Sequence, residues 1–248
     1  MENRNRVFKY EQQVLQNFFG AEFVNMPELP NWVTEELLRY WGDNIFYIHY
    51  IPKISLDEKL DLPLWKDRPS KVFYKKLDQG KLKQETKMLP GKWILIDGRD
   101  KPAKKAPWIR INDVLFLQKL GFNPKKYLQQ WNRQLFQNEY LADVLKEKGF
   151  GSRFCLNIYE INNLKPHILS FLKIDTQKVV RLPFFAEYNY LGNSIYKQWR
   201  TTETWEWFED KFDNSQYLAG GSESVGCVGW EPPEFWSTIL TFRPVVEL

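Results

Sequence analysis

Cysteine and histidine are scarce in this chain of 248 residues, which holds 2 of each. Cys155 and Cys227 stand far apart, with no CxxC spacing and no histidine beside either, so neither a zinc site nor a disulfide framework is expected. With only His49 and His167 available, a multi-histidine iron site cannot be assembled. Surplus charge is scarce as well. The 35 basic and 31 acidic residues leave +4, too little for the field of the whole protein to draw in nucleic acid. Long apolar runs are missing too. Met1 to Tyr10 is polar and charged, without the apolar core of a signal peptide, and no stretch reaches the roughly 20 apolar residues of a spanning helix. The chain is therefore expected to be soluble and cytoplasmic in a reducing compartment, with no membrane partner. Export by a phage or a dedicated apparatus stays open.

Aromatic residues, by contrast, are abundant: they make up 17% of the chain and include 11 tryptophans. That is ample material for a core, and the excess must pack, pair or face a partner. Residues 6–19 place Val7, Tyr10, Val14, Leu15 and Phe18 on one helical stripe that ends at Phe19-Gly20. From Met26 to Pro69 prolines interrupt the pattern repeatedly, yet Trp32, Trp41, Phe46 and Trp65 keep it apolar. Within that stretch Thr34 is expected to cap a helix reaching Trp41, followed by a strand at Ile45 to Ile51. Lys71 to Leu82 reads as a helix ended by Gly80, and Lys92 to Asp97 as a strand buried on both faces. Helical spacing follows from Asn112 to Gly121 and from Pro124 to about Lys148. Next come a short extended piece, Arg153 to Ile158, and a helix around Pro166 to Lys173, which leads into Val179 to Pro183. Neither an internal repeat nor a flexible linker is present. The division is therefore residues 1–90 as a Pro/Trp-rich elaboration packed on a main body of residues 91–248, in the α+β class.

The most specific stretch is Arg181 to Leu248. Pro183 fixes φ before Phe184, Phe185, Tyr188 and Tyr190 enter a core. Glu187 among them is tolerated only if paired, with Arg181, Arg200 and Arg243 as candidate partners. Gly220-Gly221 permits positive φ or a close backbone approach. No Gly-Lys-Ser/Thr follows, which argues against a phosphate cradle.

Arg181-Leu182-Pro183, Ala186-Glu187-Tyr188 and Tyr190 resemble the "RLPTEAEWEYA" segment of formylglycine-generating-enzyme-like domains, built on a C-type lectin fold. Glu206-Trp207 with Asp210 resembles that family's "EWxxD", Gly220-Gly221-Ser222 its "RGGSW", and Phe242-Arg243 its closing "GFR". The chain departs from the pattern at Tyr188, Ala219 and Thr241, where Trp, Arg and Gly are usual. Its Phe-Arg-Pro-Val-Val close is nearer in style to the variable proteins of diversity-generating retroelements, a related lectin-fold group. The resemblance covers roughly residues 160–248 well and 90–248 loosely. It implies a C-type lectin fold with an N-terminal elaboration.

Catalysis is not expected. The related enzymes use a cysteine pair after the double glycine to bind copper, and here only Cys227 stands in that place, so no cofactor and no metal are expected. Ser170 beside His167 reads as a helix-surface pair rather than part of a nucleophilic triad. Glu203/Glu206 and Glu209/Asp210 read as solvated faces, because the Asp-x-Asp-x-Asp-Gly spacing of a calcium loop is absent. The Arg99 to Lys105 cluster reads as a solvated loop, which leaves nucleic acid the weakest of the partners considered.

Binding remains. Gly221 to Phe242 mixes small residues with isolated aromatics, a low-entropy recognition composition. The resemblance places binding positions on the surface at Tyr196, Trp199, Thr201, Ser222, Ser224, Val225, Cys227, Trp230, Glu231, Trp236, Thr238 and Leu240, facing a protein or other macromolecular ligand. Trp230 and Trp236 as ordinary core residues are the competing reading. A formylglycine-generating-like oxidoreductase with an altered active site is the alternative function.

Overall fold

The apolar stripe of the opening segment winds into helix α1 (Glu2–Phe19), which closes at Gly20 with φ 98°. It is the first element of a computed structural model that describes residues 2–20, 26–99, 156–175, 177–201, 204–235, 237 and 240–248. The expected helices between Asn112 and Lys148, and Cys155, lie outside the described residues. The buried face of α1 runs through Glu11, Leu15 and Phe18, while Tyr10 is exposed. The face is thus rotated from the expected stripe, because Glu11 finds donors inside: it accepts from the Tyr50 N–H at 3.0 Å and pairs with His49 at 2.9 Å. Arg4 secures the same helix to the proline-rich segment by donating to the carbonyls of Leu29, Pro30 and Val33.

Thr34 caps α2 (Glu35–Asp43), accepting from Leu37 N–H at 3.2 Å. Trp41 of that helix donates to the Leu172 carbonyl at 2.8 Å, docking α2 on the end of α4 (Ile158–Phe171). Helix α4 starts earlier than expected. The Asn157 and Glu160 side chains bond each other's backbone N–H in a capping box, so Ile158 opens a helix instead of closing an extended piece, and Pro166 lies inside it.

Strands β1 (Phe46–Ser55) and β2 (Met88–Asp97) form a long antiparallel pair, both longer than the sequence suggested. The loop between them carries α3 (Lys71–Asp78), capped by Ser70. Pro52 is tolerated because β1 is an edge strand, and Gly91, across from it, takes φ 74°. The short β3 (Val180–Arg181) and the closing β8 (Val245–Glu247) complete this sheet in the order β1-β2-β8-β3. Val245 and Val246 are wholly buried at its centre. The chain's last strand therefore pairs with β2, and residues 46–55 supply the neighbouring edge. A division at residue 90 falls inside β2.

A second sheet has the order β6-β5-β4-β7, from β4 (Trp205–Phe212), β5 (Gln216–Gly220), β6 (Val228–Glu231) and β7 (Leu240–Thr241). Helix α5 (Phe185–Ser194) buries every residue from Phe185 to Asn193. Such a helix must satisfy its polar groups internally. Asn189 accepts from the Trp65 indole at 2.7 Å and donates to the carbonyls of Asp67 and Val225; Asn193 accepts from Asp67 N–H. The irregular 62–70 segment is held to α5 by those bonds. The described residues thus form a mixed α+β fold of five α-helices and two sheets, and no helix among them is long and apolar enough to cross a membrane.

Candidate functional site

Glu187 resolves first, since a carboxylate between Phe185 and Tyr188 must be paired. Of the three candidate arginines, Arg181 meets it in a two-pronged contact, with both N–O distances 2.7 Å. Glu187 also accepts from the Phe184 N–H at 2.9 Å, completing the N-terminus of α5. Arg200 pairs instead with Asp67 at 3.3 Å.

Arg243 belongs to Glu206. The pair is fully buried, with its nearest approach 2.8 Å, and Arg243 also donates to the carbonyls of Asp97 and Arg99. Burial works against the Arg243 charge, but Glu206 and Asp97 outweigh it and hold the guanidinium more firmly protonated than usual. Glu206 is therefore not on a solvated face. Nor is Asp210, which is buried and accepts from Phe185 N–H at 2.6 Å, with burial pushing its carboxyl up to about 7. Glu209 is half-buried and accepts from Leu182 N–H. The physical reason is that β4 lies inside its sheet between β5 and β7, with protein on both faces, so its acids had to pair inward. Glu203 lies outside the described residues. Arg99 is likewise buried beside Asp97, with its backbone N–H on the Asp97 carboxylate at 3.0 Å, rather than in a solvated basic loop; residues 100–105 lie outside the description.

The nominated binding positions divide. Trp199 has 0% exposure. Its ring stacks on Tyr196 at 4.3 Å and on Tyr188 at 5.1 Å, with the Arg243 guanidinium 4.0 Å away. Tyr196 is buried in the same stack. Val225 is buried against Gly192, where an added Cβ would stand 2.5 Å from its methyl group. Leu240 is buried in β7, paired in parallel with Trp205. Tyr196, Trp199, Val225 and Leu240 are therefore core residues, not surface positions. Each faces a tertiary partner distant in sequence.

Ser222, Ser224, Cys227, Trp230 and Glu231 are half-buried and belong to one loop-and-strand unit. Glycines seat that unit. An added Cβ on Gly220 would lie 2.2 Å from the Cys227 carbonyl oxygen, and one on Gly226 would lie 2.0 Å from that of Arg68. Gly221 takes φ 88° and donates to the Cys227 carbonyl at 2.9 Å. Ser224 Oγ accepts from Gly226 N–H at 3.1 Å. On β6, Trp230 stacks on Phe212 at 4.2 Å with an interplanar angle of 7°, and the Lys76 ammonium stands 5.3 Å from the indole. Trp230 is thus neither core nor free-standing. Burial raises the Glu231 carboxyl above its usual range. Phe212 and Lys76 were not legible as parts of this surface, because they come from β4 and α3 and only the sheet brings them to β6. Trp236, Thr238 and the side chain of Thr201 lie outside the described residues.

Among the described residues, no group of three or more His, Cys, Asp and Glu side chains could hold a metal ion. Comparisons with protein-family models, with curated proteins and with solved structures found no match.

Proposed function

We propose that this chain is a non-enzymatic binding protein that presents a recognition surface on a C-type lectin scaffold, in the manner of the variable proteins of diversity-generating retroelements. Its ligand is a protein or another macromolecule. The observation that carries the reading is the separation between an interior whose motif charges are paired and a seated outer unit. Arg181–Glu187 and Glu206–Arg243 join the motif residues to one another inside the core. Ser222, Ser224, Cys227, Trp230 and Glu231 occupy a loop and edge strand held in place by backbone contacts at Gly220, Gly221 and Gly226. Side chains on such a unit can change without disturbing what anchors it. The aromatic platform of Trp230 on Phe212 adds a rigid, partly accessible contact of the kind that dominates interfaces.

The test is a displayed library randomised at Ser222, Cys227 and Glu231, with Ser224 and Trp230 kept because Ser224 Oγ holds the Gly226 N–H and Trp230 stacks on Phe212. Folded members are expected to melt within about 3 °C of the parent, the shift of a sub-kcal/mol change, and some are expected to acquire saturable affinity for a chosen target protein. A library that mostly unfolds would overturn the reading. The retroelement component has its own test in the flanking DNA, which should carry a reverse-transcriptase gene and a near-copy of the 3′ end of the coding sequence. Their absence removes diversification and leaves lectin-type binding standing.

A further inference from the structure

Away from the 222–231 unit, helices α1 and α2 and strand β1 enclose a cleft of about 640 Å³, closed on one side by Ile195 and Tyr196. That volume falls in the roughly 300–1,000 Å³ range of small-molecule pockets. Its floor is polar but already satisfied. His49 has Nδ1 2.9 Å from Glu11 and Nε2 2.7 Å from the Tyr196 hydroxyl, while the second Glu11 oxygen accepts from Tyr50 N–H. A floor with every polar atom paired offers nothing to a second polar group, so the part of a ligand that reaches it must be apolar.

The walls and rim make the opposite demand. Tyr10 and Tyr47 both line the cleft and are 50% and 42% exposed, unusual for large rings among the described residues, where more than half of the aromatics are buried. Tyr47 is held in place: a Cβ on Gly98 would stand 2.3 Å from its ring. Arg6 and Arg39 also line the cleft, are exposed, and make no hydrogen bond or ion pair among the described residues. Arg4, two residues from Arg6, contrasts with them, since its guanidinium is consumed by three carbonyls. Asp43 is the carboxylate that shares the lining. Glu11 below is committed to His49 and the Tyr50 N–H, and Glu35 beside Asn3 to the Asn3 and Arg4 amides, so of the lining charges not already committed two are guanidiniums, whose planar forks suit a carboxylate or similar oxyanion.

We propose that this cleft binds a small aromatic anion, its flat apolar body against Tyr10 and Tyr47 and its anionic group on Arg6 and Arg39. The site is independent of the macromolecular surface on β6 and stands or falls separately from it.

Isothermal titration calorimetry of the full chain with 2-naphthoate, and with the neutral isostere 2-naphthalenemethanol, tests the proposal. Naphthoate is expected to bind saturably, one molecule per chain, and about tenfold more tightly than the alcohol, the factor expected for a charge-assisted contact at a partly solvated rim. In the Arg6→Ala/Arg39→Ala double variant the two probes should bind alike, with the melting temperature unchanged because neither side chain has a partner to lose. Tyr47→Ala should weaken both probes. Absence of saturable naphthoate binding, equal affinities in the parent, or undiminished preference for naphthoate in the double variant would overturn it.

Discussion

Arg243 and Glu206 approach within 2.8 Å of each other with both side chains wholly withdrawn from solvent. A pair of this kind costs much to desolvate and more to break, because the survivor is left charged and unmatched. Glu206→Gln and Arg243→Met are each expected to lower unfolding stability by about 3–5 kcal/mol. The Glu206→Gln/Arg243→Met double variant should lose less than the sum of the two single losses. Urea unfolding of the three proteins measures this, and additive losses would show that the two side chains do not depend on each other.

Trp199 and Trp230 are two tryptophans of the same C-terminal segment with opposite surroundings. Trp199 is enclosed by Tyr188, Tyr196 and Arg243 and its indole donates to the Arg99 carbonyl at 2.9 Å. Among the described residues Trp230 has one ring partner, Phe212, and it is half-buried. Trp199→Ala should cost about 3–5 kcal/mol, as for a fully buried large side chain. Trp230→Ala should cost about 1–2 kcal/mol, the order of a stacking contact with partial burial. Equal costs in chemical denaturation would erase the division between core and surface in this segment.

Gly226 is the tightest of the close approaches that seat the loop, with the Arg68 carbonyl oxygen 2.0 Å from where a Cβ would be. The obstacle is backbone that is itself fixed through Asp67 to α5, so it cannot move aside easily. Gly226→Ala should destabilise by about 1–3 kcal/mol, the usual range for overpacking. It should also raise the hydrogen-exchange rate of the Ser70 amide, which donates to the Gly226 carbonyl at 3.2 Å. An alanine variant of parental stability and exchange would mean that the loop is not seated there.

What could be read from the chain follows from the range of the forces involved. Thr34 and Ser70 act on backbone three residues away, and the strand at Lys92 to Asp97 carries its burial in its own composition, so all three are local signals. The Asn157–Glu160 capping box was equally local, and it moves the start of the helix from the expected Pro166 back to Ile158. Glu187 announced its need for a partner but not which arginine would answer. Glu206 and Asp210 announced nothing, because an acid on a solvated strand face and one in an interior strand have the same spelling. The same holds for Tyr10 against Glu11: helical periodicity favours the ring for the core, and only His49 and the Tyr50 amide, from a strand far along the chain, reverse the choice. The resemblance put Tyr196 and Trp199 on the surface and nothing local opposed it, since their ring partners and Arg243 come together only in the folded chain.

Asp210 gives the fold a pH dependence of unusual sign. Burial, the dominant cause, pushes its carboxyl up to about 7, and the nearby Glu187 adds to the rise; the Phe185 N–H at 2.6 Å, Arg181 and Thr86 oppose it. In the unfolded chain the same group titrates near about 3.9. Between those values the folded protein holds a proton that the unfolded chain has lost, so stability decreases as pH rises through this window. The effect is bounded by about 1.4 kcal/mol per pH unit. It is largest for the folded state below the unfolded value and gone above the folded one. Other carboxylates run the other way: Asp57 and Glu247, held low by Lys87 and by Lys92 with Arg181, lose their contribution only in acid. Asp210→Asn keeps an oxygen for the Phe185 N–H but cannot titrate. Urea midpoints of the parent and Asp210→Asn, compared from about pH 5 to about pH 8, should therefore diverge with rising pH, the parent falling by on the order of 2–3 kcal/mol relative to the variant. Parallel profiles would show that Asp210 keeps an ordinary carboxylate pKa despite its burial.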